Sequence, residues 1–137
     1  MQTQTRKFET FKALHFGDRA FVMPNPWDAG SARILSAMGF AALATTSAGY
    51  AFSAGKRDSF ASLSQTDILD NAKSIVEAST LPVSADLEDG FGASPEACAD
   101  TVIRACTIGL VGGSIEDATG DPAKPIYDLN HSDERIE

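Results

Sequence analysis

The strongest constraint in this chain is a repeated alternation. Four short, nearly all-apolar runs occur in it, AFVMP (20–24), AALATTS (41–47), LPVSAD (81–86) and LVGGSIE (110–116). Each reads as a strand of the kind buried on both faces of a parallel sheet. After the first, GSARILSAMGF (30–40) carries Ala32, Ile34, Leu35 and Met38 at helical spacing before Gly39 stops it. After the second comes a long polar loop, then a helix opened by Ser64 with Asp67 completing a capping box. After the third, Ser94 and Pro95 take the N-cap and N1 positions of a helix that runs to Gly109. Ser132 opens a helix after the fourth, and residues 4–15 form an amphipathic helix ahead of them all.

Strands alternating with helices demand right-handed crossovers and a parallel sheet. An open nucleotide-binding sheet is disfavoured, because the loop PNPWDAGSAR after the first strand holds no glycine-rich phosphate motif. The expected fold class is therefore α/β of the parallel (β/α) barrel type. A complete eightfold barrel needs roughly 250 residues, and 137 supply about four units. Residues 1–137 are thus expected to form a single domain, the N-terminal half of a (β/α)8 barrel. The alternative is a half-barrel that dimerises or pairs with a partner chain, since its outer strands would carry unpaired edges.

Composition excludes some partners. With 43% hydrophobic and 22% charged residues the chain is globular, and its net charge of -8 argues against nucleic acid or an anionic membrane. No apolar run approaches the roughly 18 residues of a membrane span, and MQTQTRKFETFKALHF lacks the apolar core of a signal peptide. The default location is cytoplasmic. Cys98 and Cys106 lie eight residues apart on one predicted helix, roughly 12 Å along its axis and too far to bridge. Both are expected to be small core residues. His15 and His131 are expected to be structural or exposed.

In a parallel barrel the strand C-termini and the loops after them build the active site. Here those ends collect carboxylates. LPVSADLEDGFG places Asp86, Glu88 and Asp89 within four residues, a local repulsion that strand propensity does not explain. Asp86 and Glu88, two apart on a strand, would face one side, with Glu116 level with them on the next strand. Oxygen ligands without thiol or imidazole suit Mg²⁺, or Mn²⁺, and not Zn²⁺. The plainer reading is a set of helix-capping and solvated loop acids. ATTSAGYAF is a second candidate, where small residues let a ligand carboxylate approach backbone N–H groups and the Thr46 and Ser47 hydroxyls.

NPWDAGSARILSAMGFAALATTSAGYAFSAG, SADLEDGFG and SIEDATGDP together resemble the isocitrate lyase/phosphoenolpyruvate mutase superfamily, in order and spacing, from about Phe21 to Glu137. The resemblance implies a (β/α)8 enzyme, homo-oligomeric, that binds Mg²⁺ and a small carboxylate or 2-oxo acid. Such enzymes make or break C–C or P–C bonds beside a carboxylate through an enolate-like species. It implies that Asp86 holds the metal most directly and touches substrate, that Glu88 and Glu116 reach the metal through water, and that Thr46, Ser47 and Ala48 bind the substrate carboxylate. Asp58 matches the acid of a gating loop. The Lys-Arg-Cys-Gly-His stretch of the family's lyases is replaced by DATGDPAKPIYDL, in which Lys124 is the sole basic residue. Asp58 and Lys124 are the catalytic residues expected here. Family arginines from the second half lie outside these 137 residues, so the chain alone is expected to lack turnover.

Overall fold

A computed structural model describes residues 3–137. The elements are α1 (Gln4–His15), α2 (Ala29–Ala37), β1 (Leu43–Ala44), α3 (Ser47–Ser53), α4 (Gln65–Ala78), β2 (Val83–Asp86), α5 (Pro95–Thr107), β3 (Gly112–Ser114) and α6 (Leu129–Glu134). The strands lie in the order β1-β2-β3, all parallel, with Leu43 opposite Val83 and Asp86 opposite Ser114. Parallel neighbours cannot be joined by a tight turn, so α4 and α5 carry the chain back between strands. The parallel α/β class is the one that the alternation predicts.

Local signals fix the helix ends. The Ser64 hydroxyl accepts from the Asp67 amide while the Asp67 carboxylate accepts from the Ser64 amide, the predicted capping box. Ser94 caps α5 with Pro95 at N1, and Gly109 follows the helix at φ +95°. Asp28 caps α2 in a reciprocal pair with Ser31. Leu43, Val83 and Ala85 from the sheet meet Ile68, Leu69, Ala72 and Ile75 of α4 in a core that Ala32 and Ala105 extend. Ile75 is fully buried there, and its truncation to alanine would cost about 2–5 kcal/mol.

Five expectations need correction. Residues 20–24 form no strand: Pro24 contributes one carbonyl to the Ala44 amide (3.1 Å), and the prolines at 24 and 26 have no N–H to continue a ladder. On α2, Ala32 is buried, but Ile34 and Met38 are exposed, so the apolar stripe is narrower than its spacing implies. The polar loop after β1 begins as a helix, because the Thr46 hydroxyl accepts from the Gly49 amide and caps α3. Helix α6 starts at the Asp128 cap, which accepts from the His131 amide, and Ser132 lies inside it. Cys98 is buried as expected, whereas Cys106 is exposed.

Helix α1 closes the N-terminal end of the sheet. Lys7 Nζ donates to the carbonyl of Ser79, ahead of β2, and Gln4 Nε2 donates to the carbonyls of Cys106 and Leu110, ahead of β3. Burial holds the Lys7 ammonium below the usual lysine range. His15 packs edge-on between Phe11 and Phe21, a structural role. Among the described residues no helix is long and apolar enough to cross a membrane.

Candidate functional site

The strand ends opposite α1 carry the acids. Asp86 closes β2, and its carboxylate is fixed by two amides: Oδ1 accepts from Glu88 (3.1 Å) and Oδ2 from Ser47 (3.0 Å). The Asp86 amide in turn donates to the Thr45 hydroxyl. A carboxylate offers about four lone-pair positions, so Asp86 is oriented with acceptor capacity to spare.

The chain then turns sharply. Glu88 (φ +49°), Gly90 (φ +79°) and Phe91 (φ +60°) all take left-handed conformations, which cost of order 1–3 kcal/mol at each non-glycine position. Strand alternation therefore does not aim Glu88, as β2 has ended two residues earlier. A tight turn, pinned by the Asp89 carboxylate on the Phe91 amide and by the Thr101 hydroxyl on the Gly90 carbonyl, brings it to the same side as Asp86. Leu87 goes into the core. Gly90 is required twice over, since a Cβ there would sit 2.7 Å from Cys98 Sγ.

Glu116 leaves β3 level with Glu88, to whose carbonyl its amide donates at 2.7 Å. A cleft of about 540 Å³ is lined by Ser47, Ala48, Asp58, Asp86, Glu88, Asp89, Glu116 and Asp121, with Phe60 and Pro125 among its apolar walls. Of the residues singled out in the sequence, Ser47, Ala48, Asp58, Asp86, Glu88 and Glu116 thus share one cavity. Thr46 does not line it and caps α3 instead. Lys124 does not line it either, and its ammonium pairs with Asp128 at 3.6 Å. Phe60 and Gly120 were not evident from sequence: the ring of one packs on the other, joining loops 60 residues apart.

Among the described residues none of Asp58, Asp86, Glu88, Asp89 and Glu116 has an ion-pair partner. Burial, then the charges of Asp86, Asp89, Glu116 and Asp58, push the Glu88 carboxyl up to about 7. Glu116 is raised by partial desolvation and then by Asp86, Asp58, Asp89 and Asp117. Among the described residues no three acids approach closely enough to enclose a bare ion. The set suits a hard cation that keeps part of its water shell, as Mg²⁺ does.

Parallel strands with acids gathered at their C-terminal ends are consistent with part of a (β/α) barrel, whose active sites form at that face. Residues 11–137 match the phosphoenolpyruvate phosphomutase family model, and the chain belongs to that family, within the isocitrate lyase/PEP mutase superfamily. A Burkholderia cenocepacia J2315 protein, provisionally named a lyase/mutase, is 54% identical over 97% of this chain and 47% of its own, with a TM-score of 0.93. 2,3-Dimethylmalate lyase, a member of the superfamily, is 32% identical over 99% of this chain and 47% of its own, with a TM-score of 0.85. An uncharacterised Mycobacterium tuberculosis protein is 35% identical over 82% of this chain and 42% of its own. The chain spans less than half the length of each.

Proposed function

We propose that this chain forms the metal- and carboxylate-binding part of a Mg²⁺-dependent lyase or mutase, one that makes or breaks a C–C or P–C bond beside the carboxylate of a small 2-oxo or related acid. The observation that carries this reading is the cleft lined by six acids with no ion-pair partner among the described residues, its Glu88 poised near neutral pH. Structural acids are held by caps or ion pairs, as Asp67 and Asp128 are here, whereas these stand unneutralised. A 54%-identical relative provisionally named a lyase/mutase, and kinship to a C–C lyase, support the chemistry.

Asp86, fixed by its two amides, would hold the cation directly, with Glu88 and Glu116 behind water. Bound Mg²⁺ supplies electrostatic stabilisation of negative charge on substrate oxygens. The Ser47 amide is engaged by Asp86, so a substrate carboxylate would meet the Ala48 amide, which has no acceptor among the described residues, together with the Ser47 hydroxyl. Asp58, exposed in the loop before Phe60, stands where it can shield that carboxylate or move a proton at the rim. Lys124 takes no part in this reading because its ammonium is turned to Asp128. The homo-oligomeric state that the family resemblance implies is proposed with it.

Calorimetric titration with Mg²⁺ and Mn²⁺, with and without oxalate as an enolate mimic, tests the reading. Binding that oxalate tightens and Asp86→Ala abolishes is the expected result. Absence of binding in the wild-type protein would leave a barrel scaffold without its chemistry.

A further inference from the structure

Behind the acidic cleft, and not lining it, lies Arg135, the C-cap of α6, which is 5% exposed. Its Nη1 donates to the carbonyl of Glu116 at 3.2 Å. Its Nη2 donates to the carbonyls of Asp89 and, at 3.4 Å, Gly92. The guanidinium lies 4.4 Å from the centroid of the Tyr127 ring. Helix α6 is set in place by the Asp128 cap and by His131, whose Nε2 meets the carbonyl of Ala93.

Taking a guanidinium out of water is costly, and although Nε has no partner among the described residues, both Nη groups are spent on definite acceptors. Beside this cluster an ion pair would be the obvious use. Arg135 makes none among the described residues; it forks to main-chain carbonyls instead. Those carbonyls belong to the two segments that present the acids, the turn after β2 and the end of β3. The fork therefore braces the segments against each other and leaves their carboxylates unquenched. It also puts fixed positive charge behind groups that repel one another.

We propose that Arg135 is a positioning residue: by tying the turn at 89–92 to Glu116 it sets the separation of Glu88 from Glu116, and through it the affinity of the cleft for a divalent cation. The proposal rests on the metal reading above, and its test keeps the two apart. Wild-type protein, Arg135→Met and Arg135→Lys are titrated with Mn²⁺ by calorimetry, and amide hydrogen exchange is followed in the metal-free proteins. Both variants should bind Mn²⁺ about 10–100-fold more weakly, as loss of an outer-shell support does. The Glu116 amide, bonded to Glu88, should lose protection, while the Thr45 amide, bonded to Ser84 within the sheet, keeps it.

Lysine keeps the charge, but its single nitrogen cannot span the carbonyls that Nη1 and Nη2 reach separately, so it should not rescue. It also carries the test if Arg135→Met exposes Thr45 and proves unfolded. Mn²⁺ affinity within twofold of wild type in either folded variant would overturn the proposal. If the wild-type protein itself does not bind Mn²⁺, the metal reading falls, and an unchanged Glu116 exchange rate would then overturn the positioning role as well.

Discussion

The Glu116 amide donates to the Glu88 carbonyl across 2.7 Å, so two acids from separate strand ends leave the sheet at one level and share one cleft. Each is pushed toward its neutral form by burial and by its neighbours. A fold that holds like charges together in this way departs from local consistency, and such departures concentrate at functional sites.

Asp86→Asn should separate binding from folding. The change keeps the side chain's shape and removes one negative charge from beside Glu88 and Glu116. Two charge-assisted hydrogen bonds weaken, but relieved repulsion offsets them, so urea denaturation at pH 7.5 should show a stability change below about 1 kcal/mol. Mn²⁺ affinity should fall about 100-fold or more as a liganding charge is lost. A large stability loss with retained Mn²⁺ binding would reverse the role assigned to Asp86.

The pH dependence has a defined sign. Glu88 titrates near 7 in the folded protein against an ordinary 4.5, so between those values the native state binds more protons than the unfolded chain. Stability must then fall as pH rises through that window and level off above it. Glu116 adds to the same slope. Glu88 is only partly buried, and screening holds its part to about 1 kcal/mol. Glu88→Gln should flatten the slope in urea midpoints taken from pH 4.5 to 7.5. On the metal reading proposed above, Mg²⁺ should compete with these protons and raise Tm more at pH 7.5 than at pH 5.

Gly90→Ala should cost about 2–4 kcal/mol, since it adds both a left-handed alanine and a Cβ against Cys98. Ala61→Gly should do the opposite. Ala61 is exposed at φ +57°, and glycine there should gain up to about 1 kcal/mol. Chemical denaturation of the two variants in parallel checks both signs.

A thiol titration reads the two cysteines directly. Cys106 is exposed and should react with a disulfide reagent in the native protein, whereas Cys98, 1% exposed, should react only on unfolding. Two equivalents in the native protein would contradict the packing of α5.

What the sequence discloses follows from how far each signal travels along the chain. Ser64 with Asp67, Ser94 with Pro95, and Gly109 act within a single turn, and each is legible as it stands. A strand is a partnership, and nothing in AFVMP reveals that, among the described residues, its only ladder bond is one carbonyl on Ala44. Small residues after Thr46 read as loop because the cap that makes α3 is a single hydroxyl. Strand-end position was enough to gather Asp86, Glu88 and Glu116 on one side, although a left-handed turn and not the pleat is what aims Glu88. Arg135 could not be found by pattern at all, since it meets its carbonyl partners 19 to 46 residues away.

The anchors of α1 also set a timetable for synthesis. Lys7 waits for a partner 72 residues further on, and Gln4 for one 106 residues on. At roughly 5–20 residues per second, the first helix leaves the ribosome on the order of 5–20 s before its last anchor exists. Until then Phe11 has no Gly112 strand to rest against. Helix α1 can therefore settle only after the distant segments that anchor it have been made, so its docking reports on the completion of the sheet rather than starting it.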